Sequence, residues 1–252
     1  MSFTRIRLEI AGPVATVTLA GPEGANPIDE LMAAELREAL SELDDDRSVR
    51  AVVLTGDGPD FSCGSVLDGR PSGEQIASHS VASSIARVGK VTVAALEGDV
   101  LGQGLELALA CDLRIAGATA RFGLTRPELA GIPWDGGTQR LPRLIGRSRA
   151  LEMTLLARVL GANEAAAIGL VAEAAEPGRA LQHAIKAGEV IATHGPVAVR
   201  YLKEAVYKGA DLALDQAMRL EVDLATLLHS TTDRAEGLRA FAEKRTPEFR
   251  GE

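Results

Sequence analysis

The chain has 252 residues, of which 46% are hydrophobic and 25% charged, ordinary proportions for a globular protein that buries one large core. A net charge of −8 argues against a nucleic-acid or anionic-membrane surface as the main partner, and aromatics at 3% leave no stacking platform for single strands. No run of 18 apolar residues offers a membrane-spanning helix. Two cysteines, Cys63 and Cys111, lack metal-ligand spacing, and four scattered histidines form no metal motif. The expectation is a cytoplasmic protein with no signal peptide, no metal, and no membrane or nucleic-acid partner.

Taken in order, Arg5 to Ile10 and Val14 to Leu19 alternate around Ala11-Gly12-Pro13, which predicts a hairpin. A loop with Asn26 follows. Ile28 to Leu43 carries apolar residues at helical spacing and ends in the solvated turn Asp44-Asp45-Asp46. Ala51 to Thr55 is a short apolar strand, turned by glycines and leading into Phe61-Ser62-Cys63-Gly64-Ser65-Val66-Leu67. Gly73 to Val88 has moderately helical composition, with His79 as a surface or pocket residue. Val91 to Gly98 is a buried strand, and Asp112 to Ala116 and Ala120 to Gly123 are further strands. Leu129 to Gly137 is a loop. Helices then span Arg147–Leu160, Asn163–Ile168, Arg179–His194, Pro196–Tyr207, Leu212–Leu228 and Asp233–Lys244. Thr138, Asn163 and Asp233 are candidate N-caps, and Pro196 a candidate first helical residue. This is an α/β core with a helical tail, divided at 1–195 and 196–252.

The chemistry concentrates in Val100-Leu101-Gly102-Gln103-Gly104-Leu105-Glu106. A strand that ends in glycine and feeds a helix leaves backbone N–H groups unpaired at the positive end of the helix dipole. Such a place favours developing negative charge, for instance the oxyanion of a thioester enolate. Glu106 stands in the first turn, where a carboxylate is also simply a favourable dipole partner. A second glycine turn, around Gly64, is what a two-donor oxyanion site needs. Cys63 lacks the local company of a nucleophile.

Several stretches in order resemble the enoyl-CoA hydratase/isomerase (crotonase) superfamily. They are the Asn26 loop, Val52 to Gly56 leading to Phe61-Ser62-Cys63-Gly64-Ser65, and Leu101 to Asp112. To these are added Ile132-Pro133 with Gly136-Gly137-Thr138-Gln139-Arg140-Leu141-Pro142-Arg143, Ala165 to Val171, and Phe241 to Phe249. The resemblance covers nearly the whole chain. It implies a crotonase-like spiral of ββα units with a C-terminal helical trimerisation region, assembled as a homotrimer or dimer of trimers. It implies an acyl-CoA substrate and no cofactor beyond that coenzyme A. The oxyanion donors would be the backbone N–H groups of Ser65 and Gln103. Cys63, Gly64 and Leu67 would hold the coenzyme A adenine, and Phe241 and Lys244 would help cover it, often from a neighbouring subunit. Many relatives have glycine at position 103; the backbone donor is retained, while the Gln103 side chain adds bulk beside the thioester.

For acid and base, hydratase relatives use two glutamates to deliver one water and one proton. Glu106 matches the first. Counting from Phe122-Gly123 puts Arg126 at the second, and anchoring on Pro127 gives Glu128 instead. An arginine stays charged and donates no proton. Isomerase and dehalogenase relatives carry an acid four after a loop glycine, a spacing that Gly131 and Asp135 fit. Asp135 is equally a turn aspartate bonding its own backbone. The leading expectation is hydration of a 2-enoyl-CoA to a 3-hydroxyacyl-CoA by Glu106 with Glu128 or Asp135. The alternatives are a Δ3-Δ2 enoyl-CoA isomerase acting through Asp135 and a CoA-thioester-binding protein with little catalysis.

Overall fold

The structure is a computed structural model that describes residues 3–67, 70–124 and 131–252. Strands β1 (Ile6–Ala11) and β2 (Val14–Leu19) form the expected antiparallel hairpin, paired from Ile6↔Leu19 to Ala11↔Val14. Helix α1 (Glu30–Asp45) follows, capped by Asp29, whose carboxylate accepts the Met32 N–H at 2.7 Å. Glu35 reaches back from it and accepts the N–H groups of Thr4, Arg5 and Ile6 at 2.8, 2.7 and 3.2 Å. Strand β3 (Ala51–Gly56) then enters the sheet. Two helices, α2 (Gly73–His79) and α3 (Ala82–Arg87), stand where the sequence pattern suggested one segment. Ser72 and Gln75 form a capping box on α2. Val81, at the head of α3, has no cap of its own type.

Strand β4 (Val91–Leu96) leads to the three-residue strand β5 (Asp99–Leu101) and to α4 (Gln103–Ala110). Next come β6 (Leu113–Gly117), β7 (Arg121–Gly123), α5 (Gly137–Ile145) and α6 (Arg147–Leu155). Strand β8 (Leu160–Gly161), α7 (Ala162–Ala167) and β9 (Glu173–Ala175) complete the core. The tail is α8 (Ala180–Ala192), α9 (Pro196–Gly209), α10 (Leu214–His229) and α11 (Thr232–Glu243).

The larger sheet has the order β1-β2-β3-β4-β6-β9, parallel from β2 onward, and the smaller has the order β5-β7-β8. Isolated parallel bridges Ile28↔Ser65 and Ser62↔Val100 extend the smaller layer. Each turn of the chain thus lays a long strand in one layer, a short extended piece in the other, and then a helix. This is the crotonase-like spiral of ββα units. The large-sheet strands read as continuous apolar runs because both faces are covered. Val53, Val93 and Ala95 face Ala180 and Ala184 of α8, while Val52, Leu54, Ala94 and Leu96 face the main core.

Three cap assignments are corrected. Helix α5 begins after Gly136, at φ 106°, so Thr138 lies inside it. Helix α7 begins after Gly161 and leaves Asn163 in its first turn. Thr231 caps α11, its hydroxyl accepting the Arg234 N–H at 3.2 Å, and the Asp233 carboxylate instead accepts Arg250 N and Gly251 N from the C-terminal segment at 2.7 and 2.8 Å. Pro196 is the first residue of α9, as expected. Strands β5, β8 and β9 have two or three residues each, too short to leave a periodic signal.

Candidate active site

Asn26 sets the first wall of the site. It is fully buried at φ 48°, where asparagine is tolerated better than most residues. Its amide nitrogen donates toward the carbonyls of Gly24, Asp57, Asp60 and Phe61 at 2.8–3.3 Å, and its Oδ1 accepts Gly21 N at 3.0 Å. One side chain therefore ties the loop after β2 to the loop after β3. Ser62 continues the tie: its Oγ donates to Asn26 O at 2.8 Å and accepts Gly64 N at 3.1 Å. Sequence reading noted Asn26 only as part of a matching loop. The Gly/Pro loop that carries it was visible, but three of its four carbonyl partners come from a segment more than 30 residues away.

Gly64 has φ 101°, and a Cβ placed there would lie 2.9 Å from Leu101 O and 3.3 Å from Gln103 N. The loop therefore presses directly on the start of α4. In the bridge to Ile28, Ile28 N donates to Gly64 O at 2.8 Å and Val66 N to Ile28 O at 3.2 Å. The N–H of Ser65 then points to the opposite side. Gly102, at φ 51° and ψ −123°, turns β5 into α4 in a region open to glycine. Gly102 N is bonded to Gly123 O at 2.8 Å, and the first intrahelical bond is made by Glu106 N to Gly102 O at 3.2 Å. Gln103 N is left at the open helix end. Among the described residues, neither Ser65 N nor Gln103 N donates to a protein acceptor.

Both residues line a cavity of about 530 Å³, with Cys63, Gly64, Leu101, Glu106, Leu124, Trp134 and Val159 among its walls. Gly104 permits this closeness, since a Cβ there would meet Ser62 Cβ and Ser62 O at 2.8 Å. Glu106 is 2% exposed. Its Oε1 accepts Asp135 N and Gly137 N, each at 2.8 Å, at the start of α5. Burial pushes its carboxyl up to about 7, and the nearby Asp135 charge adds to this against the lowering effect of the backbone donors. Among the described residues it is the only carboxylate lining the cavity.

The other expected site residues separate. Asp135 is buried but does not line the cavity; its carboxylate turns to the head of α3 and to Gln103. Glu128, like Arg126, lies outside the described residues. Leu67 N donates to Ser65 Oγ at 3.0 Å at the cavity rim, without being among its walls. Phe241, 86% exposed on α11, and Lys244, in the left-handed region at φ 56°, stand away from the cavity of their own protomer. His79 is buried, its Nδ1 beside Gln75 O at 2.8 Å, and its carbonyl accepts the Gln103 amide. Trp134 and Val159 were missed as cavity residues, because the loops that carry them show no period.

Residues 9–252 match the family described as enoyl-CoA hydratase/isomerase. The chain is 36% identical over 259 residues to an (E)-benzylidenesuccinyl-CoA hydratase of Thauera aromatica, covering 98% of this chain and 99% of the relative. It is 34% identical over 259 residues to a crotonyl-CoA hydratase of Syntrophomonas wolfei, with 99% of each covered. The crystal structure of an enoyl-CoA hydratase from Bacillus anthracis superposes with a TM-score of 0.92 at 37% identity, over 99% of this chain and 100% of that one.

Proposed function

The chain belongs to the enoyl-CoA hydratase/isomerase family of enzymes, and from that premise we propose that it adds water to a 2-enoyl-CoA, giving the 3-hydroxyacyl-CoA. The observation that carries this reading is the buried Glu106 carboxyl, poised near neutral pH on the wall shared with Ser65 and Gln103. The thioester oxygen sits between the N–H groups of Ser65 and Gln103. Glu106 takes a proton from water as its oxygen bonds carbon 3. The electron pair of the 2,3 double bond moves into the thioester, and the enolate charge rests on the two N–H groups. A proton returned to carbon 2 completes the addition, so the elements of one water are accounted for. A buried carboxyl near 7 suits both proton transfers. Glu128 is the candidate for a second acid.

A single carboxylate facing the cavity among the described residues also supports a second reading, transfer of one proton between carbons 4 and 2 of a 3-enoyl-CoA. That reaction needs no second acid, and Glu106 would replace Asp135 as its proton carrier. A paired assay separates the two. Loss of conjugated-thioester absorbance with a short 2-enoyl-CoA is expected; gain of that absorbance with the matching 3-enoyl-CoA, and no loss with the first, gives isomerisation instead. Binding of acyl-CoA with silence in both arms gives a binding protein.

The tail supports the further proposal that copies of this chain assemble through it, as trimers or dimers of trimers. None of the residues of α9 is buried, and Leu202, Val206, Leu214, Met218, Val222 and Leu227 expose apolar side chains on α9 and α10. Six exposed large apolar side chains on two consecutive helices fit an interface between copies of the chain. It would also bring Phe241 and Lys244 of one protomer toward the coenzyme A of another. Light scattering is expected to give three or six protomers, falling in a Val206→Asp/Val222→Asp variant; a wild-type monomer would refute it. Among the described residues, no helix is long and apolar enough to cross a membrane.

A further inference from the structure

We propose that Asp135 is a positioning residue that holds Gln103 and Glu106 in register, and that its carboxylate carries no proton in the reaction. The proposal rests on the reading that Gln103 N–H and Glu106 serve one acyl-CoA site. Asp135 Oδ2 accepts three N–H groups: Val81 N at 2.9 Å, Ala82 N at 3.1 Å and Gln103 Nε2 at 3.0 Å. An oxygen already engaged by three donors is poorly placed to take a substrate proton, and the side chain is 5% exposed and off the cavity wall. At the same time its backbone N–H donates to Glu106 Oε1 at 2.8 Å. One residue thus touches the start of α3, the first residue of α4 and the carboxyl of the proton carrier.

The Gln103 side chain explains why this matters. An oxyanion donor needs only its backbone, yet this glutamine is 3% exposed and both of its amide hydrogens are used, one on Asp135 and one on His79 O at 2.6 Å. Among the described residues, its buried Oε1 has no partner. The amide is therefore held through its donors alone, and removing the Asp135 oxygen frees one of two anchors. The cost of leaving buried donors unpaired falls on Val81 N, Ala82 N and Gln103 together. The expected consequence is a looser α4 start and a displaced Gln103 N–H, in a site where small misplacements are costly.

The test uses Asp135→Asn, Asp135→Ala, Gln103→Ala and the Asp135→Ala/Gln103→Ala pair. Asparagine keeps a carbonyl oxygen for the three donors. Asp135→Asn is expected to retain kcat within about fivefold, and Asp135→Ala to lose about 100-fold with KM changed less than about threefold, since donors remote from the coenzyme A contribute mainly in the transition state. Gln103→Ala is expected to add little to Asp135→Ala, because the two act as one unit. A conjugated aryl enoyl-CoA serves as a probe that needs binding and no turnover. Its absorbance is expected to shift to the red in wild type and Asp135→Asn, and to shift less in Asp135→Ala and Gln103→Ala. Asp135→Asn as inactive as Asp135→Ala would make Asp135 a proton carrier. A folded Asp135→Ala with wild-type kcat and probe spectrum would reduce it to scaffold. If Asp135→Ala does not fold, a Gln103→Ala variant with full kcat and full red shift overturns the proposal. A wild type that shifts the probe without turning over enoyl-CoA fails the assigned reaction and leaves the positioning role standing. A wild type that does neither overturns both.

Discussion

Glu106→Gln is expected to lower kcat on the enoyl-CoA substrate by about 1,000-fold while leaving the protein folded and, above neutral pH, more stable than wild type. Glutamine keeps an oxygen for the Asp135 and Gly137 N–H groups, so the geometry survives and only the proton is lost. The stability effect follows from the carboxyl lying near 7 in the folded chain against an ordinary 4.5. Between those values the folded protein holds a proton that the unfolded chain has released. The group therefore supports the fold fully below about pH 4.5, and that support is lost as pH rises through 7. Above pH 7 wild type keeps a buried carboxylate charged, at a cost on the order of 3 kcal/mol. The neutral glutamine avoids it, so the melting temperature of the variant should exceed that of wild type at pH 8, with the gap closing toward pH 5. In wild type, kcat/KM should rise through a limb near pH 7 as the carboxylate form of the base appears; the limb should vanish in the variant. Activity of Glu106→Gln within tenfold of wild type would remove Glu106 from the chemistry.

Gly64→Ala is the second large effect, and it reaches the oxyanion site that no side-chain deletion can remove. The new Cβ would lie 2.9 Å from Leu101 O and 3.3 Å from Gln103 N, both backbone atoms, on a residue at φ 101°. Neither neighbour is a flexible side-chain end, so the Ser62–Ser65 loop and the head of α4 must separate. Losing one oxyanion donor costs about 100- to 1,000-fold in kcat, and the strained backbone costs on the order of 1–3 kcal/mol of stability. The same substitution at Gly73, where a Cβ meets nothing within 4 Å in the first turn of α2, should leave both quantities near wild type. Urea midpoints and steady-state kinetics on the two variants are the measurement. A Gly64→Ala enzyme with reduced stability and unreduced kcat/KM would place the oxyanion elsewhere.

The relation of sequence to site differs residue by residue. Glu106 was legible because its neighbours are local: an apolar strand, two glycines and a helix start within a dozen positions. The longer strands and helices of each unit were legible for the same reason, while the spiral of ββα units came from the resemblance, because short strands such as β5 write no period. Gly64 could be suspected as a loop glycine at positive φ from its type, but its need for a bare Cα follows only from Leu101 and Gln103, which lie in the next turn of the spiral.

Asp135 shows the limit most clearly. Its type and its spacing from Gly131 fitted a catalytic acid equally with a turn residue, and neither reading foresaw that its carboxylate accepts Val81 N, Ala82 N and the Gln103 amide. Its carboxylate accepts Val81 N at the head of α3 from 54 positions away, at the join where Gly73 to Val88 divides into two helices. Gln103 entered as a bulky exception and turned out to be tethered through its side chain. Phe241 matched a coenzyme A motif and is exposed far from its own cavity, so any role there depends on a second copy.

Local sequence determined the longer elements and marked Glu106 as the candidate proton carrier, because periodicity and backbone freedom act over a few residues. Only the tertiary structure decided which polar groups are spent on one another. Hydrogen-bond partners such as Asp135 with Val81 and Gln103, or Glu106 with Gly137, are chosen by the packing of distant turns. A buried donor or acceptor must find a partner somewhere, and no pattern along the chain says where.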